Sequence, residues 1–343
     1  MTKPKLFVPQ PIPEAAVDRL RERCDVTVFE HLDRRIERDQ LLDAVRDQQI
    51  LYALGEIDYD EEVLDAAGEL KLIAAMHVAA TFVDIPGATR RGIPVTGIPN
   101  TGLARTTAEF TFALLISTAW RLPEADRFLR ADEWKQNQSQ AFLGTRLFGA
   151  TLGIVGMGTV GTGVAMRARA CGMRIVYTKR SQLSPVEEAS LGAEYRSLTD
   201  LFRESDFVAL TPALTKDTEG LVTAELIASM KPNAILINTS RGPVLDEAAL
   251  EEALAAGRIR GAGLDVYQHE THTPGPTGPS ERLRSLPNVV LTPHMGSAAR
   301  ETREEMALRT VENIERFLDG VRPLDVLNPE VYGEAPRRTE VIG

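Results

Sequence analysis

Residues 151–161 read TLGIVGMGTVG. An apolar run (Leu152, Ile154, Val155) meets glycines at 156, 158 and 161, and a helical pattern follows. This is the order strand, tight turn, helix N-terminus. Gly156 permits the turn, Gly158 lets backbone approach a ligand, and Gly161 lets helix and strand pack closely. The helix dipole and its unpaired N–H groups favour negative charge at that end. The segment from Gly156 through Met157, Gly158, Thr159 and Val160 to Gly161 is therefore the expected cradle of a dinucleotide pyrophosphate. A second apolar strand, Arg174 to Thr178, follows at the spacing such a unit requires.

The end of that second strand decides between the two nicotinamide dinucleotides. A carboxylate about twenty residues beyond the glycines would bind a ribose 2′-hydroxyl. The chain instead reads Tyr177-Thr178-Lys179-Arg180-Ser181. Two cations and a hydroxyl suit a 2′-phosphate, so the expectation is NADP(H) in preference to NAD(H).

The 343 residues suggest two domains. The composition, 43% hydrophobic and 26% charged, is that of a globular protein. A net charge of −10 argues against nucleic acid or an anionic membrane as partner. Two cysteines, Cys24 and Cys171, make no disulfide framework. Cys171 closes the helix after the glycine turn and is expected to pack there. No signal-peptide pattern opens the chain and no apolar run approaches the ~20 residues of a membrane span. The expected location is cytoplasmic.

Strand and helix patterns alternate through the first hundred residues. Strands are expected at Leu6–Val8, Val26–Phe29, Ile50–Ala53 and Leu72–Ala75, and helices at Pro13–Arg23, Asp39–Arg46 and Asp60–Ala66. Such alternation argues a parallel sheet flanked by helices. No glycine fingerprint follows these strands. After a turn cluster at Ile98–Gly102, Thr107–Trp120 is apolar on most faces and reads as a buried helix, able to serve a dimer interface. Beyond the glycine turn, strands are expected at Phe207–Leu210, Ala234–Ile237, Gly261–Val266 and Val289–Leu291. A long amphipathic helix from about Ala298 to Leu318 would return to the first domain.

Three ionisable residues follow strand ends in the second half: Arg241, Glu270 and His294. In an open α/β sheet, ligands sit beyond the carboxyl ends of strands. Reducing a 2-oxoacid needs hydride at the carbonyl carbon and a proton at its oxygen. Arginine can hold the carboxylate and polarise the carbonyl. Histidine can donate the proton. A carboxylate bonded to that histidine favours the imidazolium and fixes the ring.

The motifs NTSRGPVLDEAAL around Arg241, GLDVYQHE ending at Glu270 and LTPHMGS around His294, with the glycine fingerprint, resemble the D-isomer-specific 2-hydroxyacid dehydrogenase family over roughly residues 5–328. The resemblance implies an α/β protein of two doubly wound parallel-sheet domains. A Rossmann cofactor domain, 103–296, would be inserted into a flavodoxin-like substrate domain, 1–102 plus 297–328, with a tail at 329–343. It implies Arg241 as substrate clamp, Glu270 as partner and His294 as acid/base. Asp265 and the turn His294–Gly296 would bind the nicotinamide, and Thr107 and Thr239 would contact the cofactor. Hinges are expected near Thr101–Arg105 and Pro293–Ser297, and a homodimer as the assembly.

Two departures bear on the substrate. The family's Glu-Pro is here Glu270-Thr271. Its glycine-rich substrate loop is here MHVAATFVD, residues 76–84. The resemblance would have the N–H groups of Val78 and Ala79 bind the substrate carboxylate. Ala79 restricts a backbone that glycine leaves free. His77 is either a substrate-recognition residue or a ring bonded to neighbouring backbone. His269 and His272 flank Glu270, but their spacing is one residue short of a zinc-protease helix motif, and no metal is expected. The leading reading is NADP(H)-dependent reduction of glyoxylate, hydroxypyruvate or a similar oxoacid to the D-2-hydroxyacid. The alternatives are the same chemistry on a bulkier oxoacid or other oxyanion, and a dinucleotide-sensing regulator without turnover.

Overall fold

A computed structural model describes residues 2–55, 57–137, 139–270 and 277–334. The chain forms two compact units. Among the described residues, the first comprises 2–103 and 298–334, and the second 104–297.

The first unit holds a five-stranded parallel sheet. Its strands are β1 (Lys5–Val8), β2 (Asp25–Val28), β3 (Ile50–Ala53), β4 (Leu72–Ala75) and β5 (Val95–Thr96), in the order β2-β1-β3-β4-β5. The strand sequences explain their places. β3 (ILYA) and β4 (LIAA) are apolar and buried along their whole length, as inner strands covered on both faces must be. β2 (DVTV) alternates exposed and half-buried residues, the pattern of an edge. The helix Arg300–Leu318 packs on this unit through Met306, Ala307, Val311 and Ile314. Arg19 clamps it with two hydrogen bonds to Glu315, at 2.7 and 2.5 Å.

The second unit holds seven parallel strands. They are β6 (Thr151–Val155), β7 (Arg174–Thr178), β8 (Ala193–Tyr195), β9 (Phe207–Leu210), β10 (Ile235–Asn238), β11 (Gly261–Leu264) and β12 (Val289–Leu291). Their order is β12-β11-β10-β9-β6-β7-β8, so the winding reverses between β6 and β9. That is the topological switch point at which doubly wound sheets bind ligands. Apolar clusters pack both faces of this sheet, one around Phe202, Val208 and Leu236, the other around Leu152, Phe207 and Ile237. The fold class read from the sequence is therefore the one observed.

The structure corrects three details. The helix expected at Thr107–Trp120 spans Thr101–Ala119, and Trp120 is not buried but half-exposed, lying just past the helix end. Cys171 is exposed rather than packed, because it caps the helix Thr159–Ala170 where the chain reverses at Gly172, φ +73°. The start of the segment expected as a loose tail from residue 329 is ordered. Pro329–Tyr332 forms a 3-10 turn with Pro329 buried, and Arg322 pairs with Glu334 at 2.9 Å.

Gly161 shows how tightly the glycine turn is built. A Cβ there would stand 2.2 Å from the carbonyl oxygen of Gly156 and 3.1 Å from Ile154. Gly161→Ala should destabilise the second unit by about 1–3 kcal/mol, the usual cost of overpacking, read as a lower urea midpoint in the full chain.

Candidate active site

The turn after β6 has the shape its glycines predict. Gly156 adopts φ +94°, and a Cβ there would meet Pro212 N at 2.7 Å, so only glycine fits. Its carbonyl accepts the Thr211 hydroxyl at 2.6 Å. Gly158 starts the helix Thr159–Ala170 with no side-chain cap. The first-turn N–H groups of that helix have no intrahelical acceptor, which suits a phosphate. Lys179, half-buried, and the exposed Arg180 and Ser181 directly follow β7, the strand beside β6.

Three neighbouring strands carry the other candidates. Asn238, Leu264 and Leu291 lie on one rung of β10, β11 and β12. Arg241, Glu270 and His294 follow these strands at the same edge of the sheet. Asn238, fully buried, staples the turn that presents Arg241. Its Oδ1 accepts the Ser240 N–H and hydroxyl at 3.0 and 2.9 Å, and its Nδ2 donates to the Arg241 carbonyl at 3.2 Å. Gly242 must be glycine because a Cβ would lie 1.8 Å from the Tyr267 carbonyl oxygen. That close approach brings the Arg241 turn against the segment carrying Glu270.

His294 Nδ1 lies 2.8 Å from Glu270 Oε2. The other carboxylate oxygen accepts the Tyr267 N–H at 3.0 Å. Burial pushes the Glu270 carboxyl upward, but the His294 hydrogen bond and charge, the Tyr267 N–H and the Arg241 guanidinium outweigh it, and the net shift is downward. Burial lowers the Arg241 guanidinium while Glu270 opposes that shift. One Arg241 N–H donates to Ser240 O at 2.7 Å. The arrangement joins a carboxylate-bonded imidazole to a nearby guanidinium. Such a set can fix an anion and pass a proton to it.

Asp265 is 1% exposed and acts as the hub of the His294 turn. Its carboxylate accepts the Thr292 hydroxyl at 2.6 Å, the Met295 N–H at 2.9 Å and the Gly296 N–H at 2.9 Å. Its backbone carbonyl accepts the His294 N–H at 2.9 Å. Burial nevertheless holds this carboxyl above its ordinary value. His294 itself sits at φ +51°, in the left-handed region, which these bonds stabilise. The Gly296 N–H is thus spent within the protein, on the residue expected to share its ligand. Thr107 packs on Gly296, since a Cβ at residue 296 would stand 3.4 Å from its methyl. Thr239 is buried and shares a 2.6 Å hydrogen bond with Thr111.

The loop expected to bind substrate holds an internal contact. The Ala79 N–H donates to His77 Nδ1 at 3.2 Å, joined by the Ala80 N–H at 3.0 Å. His77 is thus bonded to neighbouring backbone. Val78 is half-buried beside it. His272 lies outside the described residues, and among those described no group of three His, Cys, Asp or Glu side chains forms a metal site. Sequence reasoning missed Thr292, Tyr267 and Thr111. Thr292 was within reach, being two residues before His294. Tyr267, whose hydroxyl donates to Thr292 O at 2.8 Å, and Thr111 act through contacts with no local signal.

Comparison with known proteins agrees with this architecture. Residues 112–296 match the family model of the D-isomer specific 2-hydroxyacid dehydrogenase NAD binding domain. A glyoxylate reductase of Thermococcus kodakarensis is 45% identical over 333 residues, 96% of this chain and 97% of its own. A crystallised protein of Thermus thermophilus is 41% identical with a TM-score of 0.83, over 94% of this chain and 99% of its own. The NADPH-dependent glyoxylate/hydroxypyruvate reductase of Sinorhizobium meliloti, solved with NADP and malonate, is 31% identical with a TM-score of 0.76, over 95% and 97%. The chain belongs to the D-isomer-specific 2-hydroxyacid dehydrogenase family and is an NAD(P)-dependent enzyme of that class.

The depressed Glu270 pKa carries a sign. A carboxyl lowered on folding contributes stability that is present above its unfolded value and is lost as pH falls through the folded one. Glu270→Gln should therefore be less stable than the parent at neutral pH. The gap should close progressively below about pH 4.5, as followed by denaturant titration at several pH values.

Proposed function

We propose that this enzyme reduces a small 2-oxoacid of the glyoxylate/hydroxypyruvate class to the D-2-hydroxyacid, preferring NADPH to NADH. The observation that carries this reading is the 2.8 Å pair of His294 Nδ1 and Glu270 Oε2 with Arg241 alongside. The glyoxylate reductases among its relatives support the substrate class.

The residues of the glycine turn fit a dinucleotide: Gly156, Met157, Gly158, Thr159, Val160 and Gly161 would hold the pyrophosphate. Thr107, Thr239, Asp265, His294 and Gly296 would border the nicotinamide, with Asp265 acting mainly by fixing the turn. Lys179, Arg180 and Ser181 would bind the 2′-phosphate. The reduced nicotinamide, when bound, supplies the hydride that the carbonyl carbon accepts. Arg241 binds the carboxylate and polarises the carbonyl oxygen. In the loop His77-Val78-Ala79, the N–H groups of Val78 and Ala79 would bind the substrate carboxylate. Glu270 accepts a hydrogen bond from His294 Nδ1–H, favours the imidazolium and leaves Nε2–H as the proton donor. His294 gives that proton to the oxygen as the carbonyl becomes a hydroxyl, and hydride plus proton complete the two-electron reduction.

The altered 76–84 loop favours a second reading on one point only, a bulkier oxoacid. Rates for a panel of oxoacids of rising size, each with NADPH and NADH, decide substrate size and cofactor together. The exposed Trp120, Leu122, Leu129 and Trp134 support a homodimer, and the free thiols of Cys24 and Cys171 suit the expected cytoplasmic setting.

His294→Ala should lower kcat by about 10²–10⁴ while NADPH binding, followed by fluorescence, is retained. Arg241→Ala should raise KM for glyoxylate and lower kcat as well, losing about 10- to 100-fold in kcat/KM. Converting Lys179 to Asp together with Arg180 to Ala should move the ratio of kcat/KM from NADPH toward NADH. An unchanged ratio would refute the 2′-phosphate assignment.

A further inference from the structure

The loop after β4 turns two of its own N–H groups onto one of its side chains. The chain leaves β4 at Met76, whose N–H donates to Ala53 O at 3.0 Å, and then turns sharply. Ala80 adopts φ +43°, in the left-handed region. The N–H groups of Ala79 and Ala80 converge on one atom, His77 Nδ1, at 3.2 and 3.0 Å. The ring stands edge-on to Phe82, with centroids 5.4 Å apart and planes at 79°. The loop backbone is pinned from behind. His77 O accepts the Ile98 N–H at 3.1 Å, and a Cβ at Gly97 would lie 2.8 Å from the carbonyl oxygens of His77 and Val78.

Successive N–H groups aimed at one point beside a left-handed residue form a nest, a geometry that binds anions. Ala80 is fully buried, so its N–H requires an acceptor. An imidazole nitrogen that accepts two N–H groups carries no proton, so the proton of this ring is on Nε2. A neutral nitrogen is a weaker acceptor than a carboxylate, whose charge-assisted bonds are roughly twice as strong.

We propose that His77 sets the affinity of this loop for its ligand: it occupies the Ala79–Ala80 nest as a built-in competitor and yields it to an entering carboxylate. This rests on the reading of residues 76–84 as the substrate loop. In the exchange the imidazole rotates away from the two N–H groups and the carboxylate takes its place. A neutral carbonyl compound gains nothing by displacing the ring, because its oxygen is no better an acceptor than Nδ1. An anionic substrate does gain. His77 thus weakens every ligand that must displace it from the nest, each by the same factor.

The test uses the full-length protein saturated with NADPH and titrated with oxamate, a non-reducible 2-oxoacid mimic. His77→Ala should bind oxamate about fivefold more tightly, the weight of one ordinary hydrogen bond, and should lower KM for glyoxylate in parallel. His77→Asn should restore the parental constants, because the amide oxygen of Asn can accept the same two N–H groups. Weaker oxamate binding by His77→Ala, or identical constants in all three proteins, overturns the proposal. Nitrogen-15 NMR of the ring adds a readout independent of turnover. The free protein should show an unprotonated Nδ1 that shifts when oxamate is added. A protonated Nδ1 in the free protein overturns the competitor role alone. An unprotonated Nδ1 with Ala79 and Ala80 amide signals that ignore saturating oxamate overturns the substrate-loop reading, and the proposal with it.

Discussion

Three parallel strands end on one rung, and the candidate chemistry depends on it. β10, β11 and β12 pair so that Asn238, Leu264 and Leu291 stand abreast. A parallel sheet sends every chain out of the same edge. Residues far apart in sequence therefore emerge side by side, with no need for long loops to bring them together. A slip of one residue in either pairing would turn the strand's side chains to the opposite face. The apolar residues of β10 and β11 are buried throughout, so such a slip is opposed along their length.

Level strand ends are not enough to orient side chains, and buried polar groups complete the work. Asn238, Thr239, Ser240 and Asp265 are all buried at this edge. Burying polar groups is costly unless each finds partners, and here Asn238, Ser240 and Asp265 are satisfied within the turns that carry Arg241 and His294, and Thr239 by Thr111. Asp265 alone gathers a hydroxyl and two N–H groups. The left-handed conformation of His294 persists because several bonds hold it at once. A rigid turn with the His294 ring held by Glu270 is the combination a proton donor requires.

Much of this was legible along the chain. The glycine fingerprint is a local signal because turn, close approach and helix start fall within eleven residues. The strands were legible as apolar runs, since inner strands of a parallel sheet show no alternation. What escaped was set by neighbours distant in sequence. Trp120 is as apolar as the residues before it, yet it lies past the helix end and meets solvent. Cys171 belongs to an apolar, well-packed helix but occupies its outward cap. The Thr111–Thr239 hydrogen bond joins residues on a helix and after a strand, with no pattern in either segment to announce it.

The sequence by itself determined the class of fold, the shape of the glycine turn and the candidate set Arg241, Glu270 and His294, because each rests on residue types at short, fixed spacings. Only the tertiary structure decided that Asp265 is a buried hub bonded to its own turn, and that the Gly296 N–H is already spent on it. It also decided that His77 bonds to Ala79 and Ala80. The reason is that a hydrogen-bonding group offers the same donors and acceptors to any partner. Which partner it takes depends on distances that exist only after the chain has folded.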